Sequence, residues 1–194
     1  SDTHAELIDF YRAIQQGRGN EIYEYTNLMK SQHTKENFLA IRGYNKTDLD
    51  ARRFYYITKG CYRSRISYTK EGVGSSTYGL FTDKHGFPPI DDVMNPRYMD
   101  VLSNTCIRLA GYEEIFKSCN STKWFIFLDP PYMDTNGGKT SNYGYNAFGE
   151  KEHRELSRLV HLSHSKILMI VLTHPLMLEL YEDMIHDTYT TKYS

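Results

Sequence analysis

The sequence predicts an α/β fold with a largely parallel sheet, into which a mainly helical segment is inserted. Three observations lead there. Two continuous apolar runs, KWFIFLD and KILMIVLTH, suit buried strands. Helical periodicities stand between and after them, and that alternation marks an α/β sheet. Residues 19–105 differ in character, with helical pieces and a basic, tyrosine-rich stretch, from residues 1–18 and 106–194.

The elements follow in order. AELIDFYRAIQQ sets Leu7, Ile8, Tyr11 and Ile14 on one helical face, GRGN stops that helix, and Asp2 lies just ahead of it. EIYEYTNLMKS, ENFLAIRGYN and LDARRFYYITK continue as helical pieces with no sheet pattern. In residues 60–89, seven of thirty are glycine or proline, which predicts an irregular or hairpin region. MDVLSNTCIRLAGYEEIFKS predicts a helix, a short strand over residues 106–109 and a second short helix. KWFIFLD predicts a strand, the glycine- and asparagine-rich residues 134–149 are expected to form a mobile loop, and EKEHRELSRLVHLS predicts an amphipathic helix. KILMIVLTH is the second strand and LMLELYEDM the last helix.

Composition narrows the function classes. The 194 residues, 40% hydrophobic and 24% charged, suit one ordinary globular domain with an inserted subdomain. A net charge of -1 carries no overall signature of polyanion binding, so such binding needs a local basic patch. The three cysteines, an odd number without CxxC spacing, suggest neither a disulfide framework nor a zinc site, and a reducing compartment is the simpler reading. No stretch reaches the ~20 apolar residues that span a bilayer, and no signal-peptide layout opens the chain. The expectation is an intracellular protein, cytoplasmic or beside nucleoid or viral DNA, not secreted. Most of the 17 tyrosines stand near Arg, Lys, Gly or Ser, a mixture suited to a contact surface more than a core.

The chemistry concentrates in WFIFLDPPYM. In an open parallel sheet, ligands bind beyond the carboxyl ends of the strands, where Asp129, Pro130, Pro131 and Tyr132 fall. Two prolines fix the backbone and remove two donors, leaving carbonyl oxygens beside a carboxylate. Such a cluster of acceptors fits an exocyclic amino group, its two hydrogens going to the Asp129 carboxylate and the Pro130 carbonyl. Tyr132 offers a face on which a planar base can stack. From Arg52 through Arg53, Lys59, Arg63, Arg65 and Lys70 the chain is basic, with no acid in residues 51–70 and tyrosines between the cations. That pattern suits phosphate neutralisation with base contacts, or a merely solvated face. His153 and His174 lack metal-ligand spacing and read as structural or solvent-facing.

DPPY behind an apolar strand resembles the catalytic motif of amino-group methyltransferases that use S-adenosylmethionine. Nearly all of the chain resembles the DNA adenine-N6 methyltransferases of the GATC-methylating type. The resemblance implies a Rossmann-like class I methyltransferase sheet, formed by residues 1–18 and 106–194, with residues 19–105 as a target-recognition subdomain. It implies S-adenosylmethionine as cofactor, double-stranded DNA as partner, no metal and no membrane, and leaves a restriction endonuclease counterpart open. SDTHAELIDFYRAIQ is similar to the family segment whose acid binds the donor's ribose, which matches Asp2. An Asp at a helix N-terminus can equally act as a cap. CIRLAGYEEIF is similar to the segment whose acid meets the donor's adenine. Gly111 holds that position, so Tyr112 and Glu113 beside it are the candidates, with Asp129 as a further donor contact.

The stretch ARRFYYITKGCYRSRISYTKEGVGSSTYG resembles the family's DNA-contacting region, with Tyr62, Tyr68, Gly72 and Gly79 keeping its pattern. Arg63 stands where the family has asparagine and Ser67 where it has arginine, so the family's usual target sequence is not carried over. SNYGYNAFGEKEHRELSRL resembles a loop that orders on DNA, implying that Tyr143, Tyr145 and Phe148 close over an extruded base, or pack on the sheet. The family's glycine-rich turn has no counterpart, and the sequence is expected to be an internal portion of a longer enzyme. The reaction implied is methyl transfer to N6 of a flipped-out adenine. A methyltransferase of RNA or of a protein amide, and a non-catalytic DNA-binding relic or split partner, remain alternatives.

Overall fold

The structure, a computed structural model, describes residues 1–81, 86–133 and 148–190. It is mixed α/β and divides by packing into two units, Ser1–Gly111 and Tyr112–Ser194.

The first unit is helical because local caps start each helix and apolar faces hold the helices together. Helix α1, Ala5–Gln15, opens on His4, whose Nδ1 accepts the Leu7 N–H at 3.2 Å, and ends before Gly17 at φ 80. After α2, Gly19–Ser31, comes α3, Lys35–Arg42, opened by the Thr34 hydroxyl on the Asn37 N–H. Helix α4, Ala51–Gly60, opens on Asp50, whose carboxylate accepts the Arg52 and Arg53 N–H groups at 3.0 and 3.4 Å. Helix α5, Pro96–Ser103, opens on Asn95 with proline in its first turn. Each cap satisfies amides that have no partner inside the helix, worth about 1 kcal/mol.

Helix α4 is the centre of this unit: α1, α2 and α3 all pack on it. Consecutive residues stand ~100° apart on a helix, so its neighbours Tyr55 and Tyr56 serve different cores. Tyr55 joins Ile14, Ile22, Val93 and Leu102, while Tyr56 joins Phe38, Tyr44, Ile57 and Cys61. For these two tyrosines this corrects the expectation of a contact surface. Tyr56 is 0% exposed, its hydroxyl bonded to His33 Nδ1 at 2.8 Å, and the Tyr55 hydroxyl bonds Asp92. Rings of this size bury well once the hydroxyl finds a partner.

After α4 the chain forms an antiparallel hairpin, with bridges Cys61↔Tyr78 and Tyr68↔Gly74. At Gly74 the backbone comes so close to α3 that a Cβ would lie 2.0 Å from the Arg42 carbonyl oxygen. Gly74→Ala is therefore expected to cost about 3 kcal/mol, the upper range for overpacking, checked as a shift of the urea midpoint. The strand expected over residues 106–109 is replaced by one parallel bridge, Asp2↔Leu109. There the Asp2 N–H donates to the Arg108 carbonyl at 3.2 Å and the Ala110 N–H to the Asp2 carbonyl at 3.1 Å.

The second unit holds the small parallel sheet. Strands β1, Phe125–Leu128, and β2, Lys166–Met169, run in register from Phe125↔Lys166 to Leu128↔Met169. Both are shorter than their apolar runs. Ile126, Leu128, Ile167 and Met169 pack with Leu156 and Val160 of α7, Glu150–Leu162, and with Leu176 and Tyr181 of α8, Pro175–Tyr181. Phe116 of α6, Tyr112–Ser118, joins them. The strands are not buried on both faces as expected: Phe125 and Phe127 are 62% and 55% exposed. Side chains alternate across a strand, and these helices fill one face alone. Among the described residues no helix is long and apolar enough to cross a membrane.

Candidate active site

The end of β1 positions the DPPY cluster. The Leu128 carbonyl takes the last sheet bond, from Ile170 N–H at 3.2 Å, and the chain then leaves the sheet at Asp129. Asp129 is exposed, Pro130 buried, and Pro131 and Tyr132 half-buried. The Tyr132 hydroxyl donates to Asp129 Oδ1 at 3.1 Å, joining the ring and the carboxylate directly.

A buried histidine fixes the prolines. His153, on α7 and 0% exposed, has Nε2 3.1 Å from the Pro131 carbonyl oxygen. A carbonyl only accepts, so Nε2 carries the proton. Burial pushes the His153 pKa below its ordinary value, opposed by the Pro131 bond and the Glu152 charge. The ring is therefore neutral at pH 7, with the lone pair on Nδ1. With the Pro131 carbonyl occupied, Asp129 Oδ2 and the Pro130 carbonyl are acceptors to which no donor is bonded among the described residues.

Phe148 stands edge-on to both His153, at 4.8 Å between centroids, and Tyr112, at 5.7 Å. It packs inside the unit and connects Tyr112 to the support of the motif. Burial, then the Glu113 charge and a hydrogen bond to it, push the Tyr112 hydroxyl up to about 12. Glu113 itself is exposed. Tyr143 and Tyr145 lie outside the described residues.

In the first unit, Asp2 is exposed and does not cap α1; that place belongs to His4. Asp2 Oδ1 accepts the His4 N–H at 2.7 Å. The basic run separates into two groups. Arg52 forks onto Asp50 through Nε and Nη2, both at 3.1 Å. Arg53 pairs with Asp48 at 3.2 Å and lies 3.9 Å over the Tyr44 ring, and Lys59 pairs with Asp92 at 3.2 Å. These three cations carry acidic partners. Arg63, Arg65 and Lys70 are exposed and form no ion pair among the described residues. Tyr68 is half-buried, with its hydroxyl bonded to the buried Glu6.

Two residues outside the sequence-based set matter here. His153, expected to be structural or solvent-facing, is structural, and its spacing to Leu156 and Val160 places it on the apolar face of α7. Arg42 had no such signal; its guanidinium ties the end of α3 to the Ser75 carbonyl at 3.1 Å and to that of Ser76. Among the described residues no group of three or more His, Cys, Asp or Glu could hold a metal ion.

Comparison with known proteins extends this picture. The family model described as D12 class N6 adenine-specific DNA methyltransferase matches residues 1–193. The type II methyltransferase M.CviBI of Paramecium bursaria Chlorella virus NC1A is 34% identical over 196 residues, covering 100% of this chain and 71% of that protein. The DNA N-6-adenine-methyltransferase of Escherichia phage P1 is 23% identical over 192 residues, 94% of this chain and 25% of its own length. The type II methyltransferase M.MjaIII of Methanocaldococcus jannaschii is 26% identical over 156 residues, covering 74% and 52%.

Proposed function

Because this chain belongs to the D12 class of N6 adenine-specific DNA methyltransferases, we propose that Asp129, Pro130 and Tyr132 are the centre at which adenine N6 in double-stranded DNA receives its methyl group. One observation carries the assignment: a carboxylate bonded to a tyrosine at the carboxyl end of a parallel strand, beside a Pro-Pro backbone held by buried His153.

The residues act by position and charge. A flipped-out adenine stacks on Tyr132, a contact worth about 1–3 kcal/mol. Asp129 Oδ2 and the Pro130 carbonyl hold the two N6 hydrogens, which aims the nitrogen lone pair outward. As N6 becomes positive during transfer, the carboxylate attracts its hydrogens more strongly. The interaction thus favours the transition state over the bound substrate.

When bound, S-adenosylmethionine supplies a methyl group on a positively charged sulfur. Within the second unit the residues present suit it: the Tyr112 ring and the exposed Glu113 carboxylate beside it suit the donor's adenine.

We read the sheet as part of a Rossmann-like fold, with residues 19–105 as the inserted recognition subdomain. The parallel bridge between Asp2 and Leu109 supports this, since it joins the chain on either side of the insert. Arg65 and Lys70 serve as phosphate contacts. Arg65→Ala and Lys70→Ala should each lower the slope of log affinity against log salt by about 1, measured by titrating a duplex at several salt concentrations.

The function is tested by incorporation from tritiated S-adenosylmethionine into duplex DNA, single-stranded RNA and peptides. Label in DNA, recovered as N6-methyladenine, supports the proposal. Label confined to RNA or peptide, or none, rejects it.

A further inference from the structure

The turn after α4 has a backbone that its own residues disfavour. Arg63 and Ser64 both adopt φ 54, the left-handed region. There Cβ crowds the next carbonyl oxygen, and glycine or asparagine is the usual occupant. The hairpin holds the turn on both sides. The Tyr62 N–H donates to the Thr77 carbonyl at 2.8 Å, the Ser64 N–H to Cys61 and the Arg65 N–H to Tyr62, both at 3.2 Å. Strain of this kind persists only where surroundings impose it, and it concentrates at ligand-contacting positions.

What the turn displays is Arg63. Its guanidinium stands 5.3 Å over the ring of Tyr62, itself 54% exposed, and among the described residues it has no acidic partner. Arg52, Arg53 and Lys59 in the same basic run are all ion-paired. A point charge for a phosphate needs no such orientation, and Arg65 and Lys70 already supply that role. A guanidinium held against an aromatic ring where the first strand of the two-stranded hairpin begins, next to the Cys61↔Tyr78 bridge and before the Thr69–Val73 turn, is restricted in the direction its planar fork can face. The DNA major groove admits such a ribbon, and the edge best matched by the fork is O6 and N7 of guanine.

We propose that Arg63 is a specificity-determining residue that donates two N–H bonds to a guanine in the recognised DNA. The inference rests on the DNA-methylation reading. The test first finds the preferred site by methylating a random-sequence duplex library. Each guanine of that site is then replaced by 7-deazaguanine, which lacks the N7 acceptor. Discrimination is read as a ratio, from methylation rates and from competition binding, so a slow variant remains informative.

The wild type should disfavour 7-deazaguanine by about tenfold at one position. Arg63→Asn, which suits the left-handed backbone, should lose that ratio with no fall in melting temperature. Arg63→Lys, which keeps the charge without the fork, should lose it too. Arg65→Ala should keep it. An unchanged ratio in Arg63→Asn, or a wild type indifferent to every guanine replacement, overturns the proposal while leaving DNA methylation standing. A wild type that methylates no DNA overturns the functional reading and this inference together.

Discussion

Asp129→Ala is expected to lower the rate of methyl transfer by about a thousandfold, with DNA affinity changed only a few-fold. The carboxylate is exposed and its one described partner is the Tyr132 hydroxyl, so its loss removes no packing. What goes is the negative acceptor that holds an N6 hydrogen as the nitrogen becomes positive. Asp129→Asn keeps an acceptor oxygen without the charge, and its rate should fall between the wild type and alanine variants. Single-turnover methylation with a melting curve for each variant measures this. A near-normal rate in a folded Asp129→Ala protein rejects the assignment.

The second large effect is expected at His153. Its ring is fully buried, touches Phe148 edge-on and holds the Pro131 carbonyl. His153→Ala leaves a cavity and a carbonyl without its donor, a loss of about 3 kcal/mol in urea denaturation. Turnover should fall as well, because the Pro-Pro backbone is no longer pinned. His153→Gln, which can still donate, should restore more activity than His153→Phe, which keeps volume without a donor. A His153→Phe variant with full activity would show that the hydrogen bond does not position the motif.

The same residue gives the protein a pH dependence. Burial lowers the pKa values of His153, His33 and His4 below 6.5. The unfolded chain then takes up protons before the folded one does. The stability these neutral rings contribute is complete above pH 6.5 and is lost as pH falls from there through the lowered folded values. Urea midpoints should therefore fall between pH 7 and 5, less steeply in His153→Phe. A midpoint that rises on acidification contradicts neutral burial.

Asp129, Pro130, Pro131 and Tyr132 were legible as a cluster because they are adjacent: a strand end followed by two prolines dictates its own local geometry. The caps Thr34, Asp50 and Asn95 bond amides two or three residues on, and helical spacing placed Ile8 and Ile14 inward. Charge was less legible. Residues 51–70 hold no acid, yet Asp92, 33 residues from Lys59, and Asp48 and Asp50 just upstream take three of the six cations. The tyrosines of α4 looked like surface until packing gave Tyr55 and Tyr56 a core each and partners at Asp92 and His33.

The sequence by itself determined the helices, the two strands and the reactive motif, since periodicity, caps and proline act over a few residues. Only the tertiary structure decided that His153 supports Pro131 and that Arg42 ties down the hairpin. It alone showed Arg63 on a left-handed turn without an acidic partner among the described residues. Those outcomes depend on which distant faces meet, and the low permittivity and close packing of those contacts set which charges and rings are used inside the protein and which stay outside.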